Sequence, residues 1–321
     1  MSNRIKCAVL DDYQKVAEQM ADWSLLTDQV EVTFFQQYIE GEAEAARLLQ
    51  DFEIIIIMRE RTSFRASLLA CLPKLKLLVT TGMRNASVDM AAAAAQGIVV
   101  CGTGGYSEPP TELAWALILG LARHLVREHQ AVQTNGPWQQ TIGRDLFGST
   151  LGLIGLGKIG SRMALIAQAF GMKVVAWSQN LTAEQAEASG ARLAGSLEEL
   201  LQESDFVSIH LVLSDRTRGL IGASELKQMR RSAYLINTSR APIVDQKALL
   251  NALEQGVIAG AGLDVYETEP LPFDDELRKL PNVLLAPHLG YVTYRNYEIY
   301  YRDAVEDIAA FLAGQPVRQL G

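Results

Sequence analysis

Cysteine and histidine are scarce in this chain, with three of the first and four of the second among 321 residues. Cys7, Cys71 and Cys101 are too few for a disulfide framework, and each falls in or beside an apolar segment. Packing in a reducing compartment fits all three. Long hydrophobic runs are also missing. Nothing approaches the roughly 18 consecutive apolar residues of a membrane span. The opening MSNRIKCAVLDDY lacks an apolar signal core followed by a small-residue cleavage site. Nor is there an excess of positive charge: the formal net charge is −8, which argues against an electrostatic nucleic-acid footprint. A cytoplasmic protein that binds neither membrane nor nucleic acid is expected, and no metal site.

What is present is alternation. The length suggests two domains, at roughly 100–200 residues each. KCAVL (6–10), VEVTFF (30–35), FEIIIIM (52–58), LKLLVTT (75–81) and GIVVCG (97–102) read as five strands, with helical composition at 41–50 and 87–96. A second series supplies six more: 150–156, 173–178, 206–211, 233–239, 259–265 and 282–288. Near-continuous apolar strands separated by helices indicate parallel sheets covered on both faces. Residues 107–130 read as one long helix bracing the two halves, and 292–313 as a closing helix that packs back on the first.

LGLIGLGKIGSR holds Gly155, Gly157 and Gly160 in the spacing G-x-G-x-x-G, between a strand and a helix. The first glycine suits the tight turn, the second a close approach to pyrophosphate, the third tight helix–strand packing. The freed N–H groups at the helix start would hold phosphates. About 20 residues on, an acid should bind the ribose 2′-hydroxyl; the chain has Ser178 there. No Lys or Arg occurs from Ser178 through Ala191, so a 2′-phosphate would lack a partner. NAD is expected, with NADP as the alternative if Arg192 folds back.

Three polar islands interrupt strand ends of the second series. INTSRAP carries Arg240; GLDVYETEP carries Asp264, Glu267 and Glu269; APHLG carries His288. A lone histidine behind a buried strand is ordinarily a core residue satisfied by one hydrogen bond. Three charged tips beside a nucleotide loop are harder to explain as filler, because ligands of open α/β sheets collect at the carboxyl ends of strands. The residue types suit reduction of a 2-keto acid. Arg240 offers a forked donor pair for carboxylate and carbonyl. His288 can protonate the forming alkoxide, and Glu269 can hold the ring in one tautomer.

GLGKIG, INTSR, GLDVYETEP and PHLG, in this order and spacing, resemble the D-isomer-specific 2-hydroxyacid dehydrogenases over nearly the whole chain. RERT (59–62), SVD (87–89), TRGLIGASEL (217–226) and IVDQKALLNALEQG (243–256) add to the likeness. The resemblance implies two doubly wound parallel-sheet domains. One is a discontinuous, flavodoxin-like substrate domain, 1–102 with 289–321; the other is a Rossmann cofactor domain, 103–288. It implies a homodimer, and Trp138 suits a subunit contact. Arg240, Glu269 and His288 match the catalytic trio. Gly155, Leu156, Gly157, Lys158, Ile159, Gly160, Ser178, His210, Thr238 and Gly290 fall at cofactor positions, and Asp264 matches the residue that binds the nicotinamide carboxamide. Gly82, Met83 and Arg84 fall on the substrate loop.

The chain departs from the family pattern in places. Arg84 stands where that loop usually has a second glycine, which suggests a bulkier or dicarboxylate substrate. Val212 replaces a proline after His210, and Ala241-Pro242 follows Arg240. GYVTYRNYEIYY after His288 is rich in tyrosine, so Tyr291 and Tyr294 are candidates to line a pocket. Two rival readings share the scaffold: a phosphite dehydrogenase-like enzyme, and an NAD-gated corepressor-like binding module.

Overall fold

The computed structural model describes residues 4–321. It divides into two compact units, 1–106 with 293–321 and 107–292. The cuts fall four residues beyond those read from the sequence.

The first unit is built on five parallel strands: β1 (Ile5–Val9), β2 (Val30–Phe34), β3 (Ile54–Ile57), β4 (Leu77–Thr80) and β5 (Val99–Gly102). Their order is β2-β1-β3-β4-β5, the flavodoxin-like winding. The four isoleucines of β3 are all buried. Both faces of the strand are covered, so an unbroken apolar run is needed where alternation would leave polar groups inside. The free edge of β5 is closed by the chain's last residues: Leu320 N–H bonds the Val100 carbonyl, Gly102 N–H bonds that of Arg318, and Cys101 bridges Gln319. Helix Tyr294–Leu312 presents Asn296 and Asp303 to the segment after β5, accepting from Tyr106 N–H and Gly104 N–H at 2.8 Å each.

The second unit has seven parallel strands: β6 (Thr150–Ile154), β7 (Lys173–Trp177), β8 (Arg192–Leu193), β9 (Phe206–Ile209), β10 (Tyr234–Asn237), β11 (Gly260–Leu263) and β12 (Val283–Leu285). The order β12-β11-β10-β9-β6-β7-β8 is doubly wound, and the winding reverses between β6 and β9. The two-residue β8 is too short to register as a sequence signal. Helix Glu108–Ala122 lies close on β11; a Cβ on Gly262 would sit 3.0 Å from Leu117 Cβ, which explains the glycine-rich AGAGL.

Two expectations are corrected. The long helix 107–130 is two, Glu108–Ala122 and Leu125–Gln133, because His124 takes a left-handed φ of 49° that ends the first. Cys71 is exposed, unlike the buried Cys7 and Cys101. Among the described residues no helix is long and apolar enough to cross a membrane.

Candidate active site

The second unit's ligand edge follows from strand register. Asn237 of β10 pairs with Leu263 of β11, and Leu263 with Leu285 of β12. Arg240, Tyr266 and His288 each stand three residues beyond that aligned row. Three islands separated by dozens of residues in the chain are thus neighbouring tips on one edge.

His288 is half-buried at its tip. Its Nδ1 lies 2.6 Å from Glu269 Oε2, while Glu269 Oε1 accepts the Tyr266 N–H at 2.9 Å. The backbone of Tyr266 therefore aims one carboxylate oxygen, leaving the other for the ring. Tyr266 is itself fixed by its hydroxyl, which donates toward the Leu263 and Ala286 carbonyls. Sequence reading missed it, and the only signal was a large aromatic between Asp264 and Glu269. Tyr291 packs edge-on against the imidazole, with ring centroids 5.4 Å apart.

His288 has φ +54°, in the left-handed region, where a non-glycine residue persists only if its surroundings hold it. Asp264 supplies that hold. Its two oxygens accept the N–H groups of Leu289 at 2.6 Å and Gly290 at 2.9 Å. Burial pushes this carboxyl up to about 6, against the pull of those two N–H groups and His288. A carboxamide contact by Asp264 would have to use its remaining lone pairs. Arg240, half-buried, has Nη1 donating to its own Ser239 carbonyl at 2.7 Å, and its own carbonyl accepts from Asn237 Nδ2. Thr238 is half-buried just after β10.

At the reversal between β6 and β9 the tips carry Gly155, Leu156 and Gly157 on one side and His210 on the other. Gly155 has φ +99°, and a Cβ there would lie 2.6 Å from the His210 carbonyl. A Cβ on Gly160 would collide with the Gly155 carbonyl, whereas one on Gly157 meets nothing within 4 Å. Two glycines are thus required by packing, and the middle one opens onto free space. Helix Lys158–Ala169, with Ile159 in its first turn, starts there. The His210 Nε2 pairs with Ser208 Oγ at 2.9 Å; its buried Nδ1 has no partner among the described residues. Burial drives this ring down to about 4, so it is neutral at physiological pH. An open phosphate cradle beside an unsatisfied ring nitrogen fits a dinucleotide.

The substrate-loop residues belong to the first unit. Gly82, with φ +88°, gives its N–H to Thr103 Oγ1 at 2.9 Å, so that donor is not free for a ligand. The Arg59 guanidinium lies across Gly82, with Nη1 1.9 Å from where a Cβ would be. Arg59 is a position that sequence reading grouped only as part of RERT. Met83 and Arg84 are exposed. Among the described residues no group of three or more His, Cys, Asp or Glu could hold a metal ion.

A family model described as D-isomer specific 2-hydroxyacid dehydrogenase, NAD binding domain, matches residues 115–290. The chain is 40% identical over 253 residues to a glyoxylate reductase of Thermococcus litoralis, covering 76% of each protein. It is 35% identical over 301 residues to a D-3-phosphoglycerate dehydrogenase of Synechocystis, covering 91% of this chain and 54% of that one. A solved phosphoglycerate oxidoreductase of Vibrio cholerae superposes with a TM-score of 0.92 at 37% identity, covering 97% of this chain and 99% of that one. D-lactate dehydrogenase of Escherichia coli gives 0.83 at 25%, covering 99% and 100%.

Proposed function

Since the chain belongs to the D-isomer-specific 2-hydroxyacid dehydrogenases, an oxidoreductase family whose NAD-binding domain it contains, we propose that it interconverts a 2-keto acid and the D-2-hydroxy acid. The contact between Glu269 Oε2 and His288 Nδ1 at 2.6 Å carries this reading. With Nδ1 engaged by a carboxylate, Nε2 is the nitrogen left for a substrate oxygen.

A bound nicotinamide dinucleotide would supply the hydride in reduction and take it up in oxidation. The rest is done by this chain. Gly157 and the start of helix 158–169 would hold the phosphates, with Gly155 making the turn that brings them there, and His210 Nδ1 is a nitrogen that a bound dinucleotide could satisfy. The Arg240 guanidinium can fork onto the substrate carboxylate and carbonyl. His288 gives its Nε2 proton to the nascent alkoxide, or takes it back in the reverse direction, while Glu269 stabilises the ring when charged. Met83 and Arg84, exposed on the loop after β4, are the residues this reading assigns to substrate choice.

The names of the relatives make glyoxylate and 3-phosphohydroxypyruvate the first acids to test. NADH or NADPH oxidation at 340 nm is followed with these, hydroxypyruvate, pyruvate, phenylpyruvate and 2-ketoglutarate. Turnover of at least one acid, lost in His288→Asn, is expected. Tight dinucleotide binding with no turnover of any of them would refute the enzyme reading and favour a dinucleotide-gated binding module.

The working form is a homodimer in this reading. Leu125, Val132, Trp138, Ile142, Phe147 and Leu165 are each more than half exposed, apolar side chains that a subunit contact would take out of water. Light scattering on wild type and on Ile142→Asp is expected to give twice the chain mass and a single chain mass respectively. A monomeric wild type refutes it.

A further inference from the structure

The adenosine end of the dinucleotide site carries no charge that sorts NAD(H) from NADP(H). In a Rossmann unit a carboxylate closing the second strand reads the ribose 2′-hydroxyl, or a nearby arginine takes the 2′-phosphate. Here β7 ends at Trp177, and the residues that follow are Ser178, Gln179 and Asn180. All three are neutral. Their hydroxyl and amide groups can donate to a phosphate oxygen or accept from a hydroxyl equally well.

The cation on the strand beyond β7 is withheld. Arg192 is the sole Lys or Arg between Lys173 and Arg216. It lies on the neighbouring strand, opposite Val175, and both arms of its guanidinium are engaged. Nη1 donates to Glu199 Oε1 at 2.6 Å, and Nη2 donates to Glu203 Oε2. Both glutamates sit on helix Leu197–Glu203, so the guanidinium is held against that helix. Lys158, exposed at the glycine loop, favours phosphate whichever dinucleotide is bound.

We propose that this protein binds NAD(H) and NADP(H) with similar affinity. Ser178, Gln179 and Asn180 can hydrogen-bond a 2′-hydroxyl or a 2′-phosphate and carry no charge that favours either, and Glu199 and Glu203 keep Arg192 from tipping the site toward NADP(H). The proposal rests on the dinucleotide role of the second unit, and is independent of which keto acid is reduced.

The test is direct binding to the whole protein with no keto acid present, titrating NADH and NADPH and following tryptophan quenching at 0.15 M salt. The two dissociation constants are expected within about tenfold of each other; a preference beyond about 100-fold either way overturns the proposal. Ser178→Asp is expected to weaken NADPH by about 30-fold or more, with NADH changed less than about threefold, because a carboxylate there repels the phosphate. Unchanged NADPH affinity in that variant would mean that position 178 does not face the 2′ position. The double variant Glu199→Gln, Glu203→Gln, checked for an intact unfolding transition, is expected to tighten NADPH several-fold and leave NADH unaltered. No tightening in the folded double variant removes the role given to the two glutamates. Missing turnover with both dinucleotides bound would count against the keto-acid reading alone.

Discussion

The carboxylate of Asp264 accepts the backbone N–H of Leu289 at 2.6 Å, one residue past a histidine held at φ +54°. A buried acid on one strand tip thereby fixes the ring on the next. Burial brings this acid to about 6, so below that pH it protonates and its acceptor strength toward Leu289 and Gly290 weakens. Wild-type kcat is expected to fall as pH drops from 7 to 5. Asp264→Asn, uncharged at every pH, should show at pH 7.5 the reduced rate that wild type reaches near pH 5, a loss of about tenfold. A variant with wild-type kcat at pH 7.5 would show that Asp264 does not position His288.

Glu269 and His288 should behave as one unit. His288→Asn is the cleanest removal of the ring, since asparagine tolerates the left-handed backbone. It is expected to lose at least about 100-fold in kcat. Glu269→Gln keeps a hydrogen-bond acceptor without the charge and should lose about 10–100-fold. The double variant should be no slower than His288→Asn alone, because groups acting together are not additive. Multiplicative losses in steady-state assays would indicate separate roles.

The buried ring of His210 makes a stability prediction. Its pKa is about 4 in the fold and about 6.5 when unfolded. Between these values the unfolded chain binds more protons, so this contribution is full above about pH 6.5 and is lost as pH falls toward 4. The loss approaches about 3 kcal/mol, from roughly 1.4 kcal/mol per unit. Asp264 runs the opposite way: raised from 3.8 to about 6, it costs stability as pH rises through that window. Asp307, which burial raises to about 7, runs the same way as Asp264, so the His210 contribution is read as a difference between wild type and a variant. His210→Gln, which leaves Asp264 unopposed, should gain stability relative to wild type as pH falls. A constant difference between the two proteins across that range would contradict this.

Substrate choice is expected to depend on Arg84. Exposed on the loop after β4, it adds a cation near Gly82, where the Arg59 guanidinium already lies. Arg84→Gly should lower kcat/KM for 2-ketoglutarate about tenfold more than for glyoxylate, since only the first has a second carboxylate to pair. An unchanged ranking of acids would make Arg84 a solvated surface residue.

Much of this was legible from the chain because the relevant signals are local. Apolar runs such as IIII in β3 and the glycine spacing after β6 carry their structural meaning in a few adjacent residues. What escaped depends on geometry between distant residues. The break at His124 needs a left-handed turn that no Gly or Pro announces. The two-residue β8 exists only because β7 lies beside it. Tyr266 acts through a main-chain N–H, which any residue type would offer. The place of Arg192 is set by Glu199 and Glu203, seven and eleven residues further along the chain.

The first unit is written in two pieces of chain, up to residue 106 and again from 293, and its β5 edge is covered only by residues of the second piece. During synthesis the ribosome must therefore add all of 107–292 before that sheet can be sealed. At roughly 5–20 residues per second the wait is on the order of 10–40 s. The second unit can mature as it emerges, while the earlier strands stay exposed to any other nascent edge. Expression yield should therefore respond to translation speed and chaperone supply through the first hundred residues more than through the dinucleotide unit.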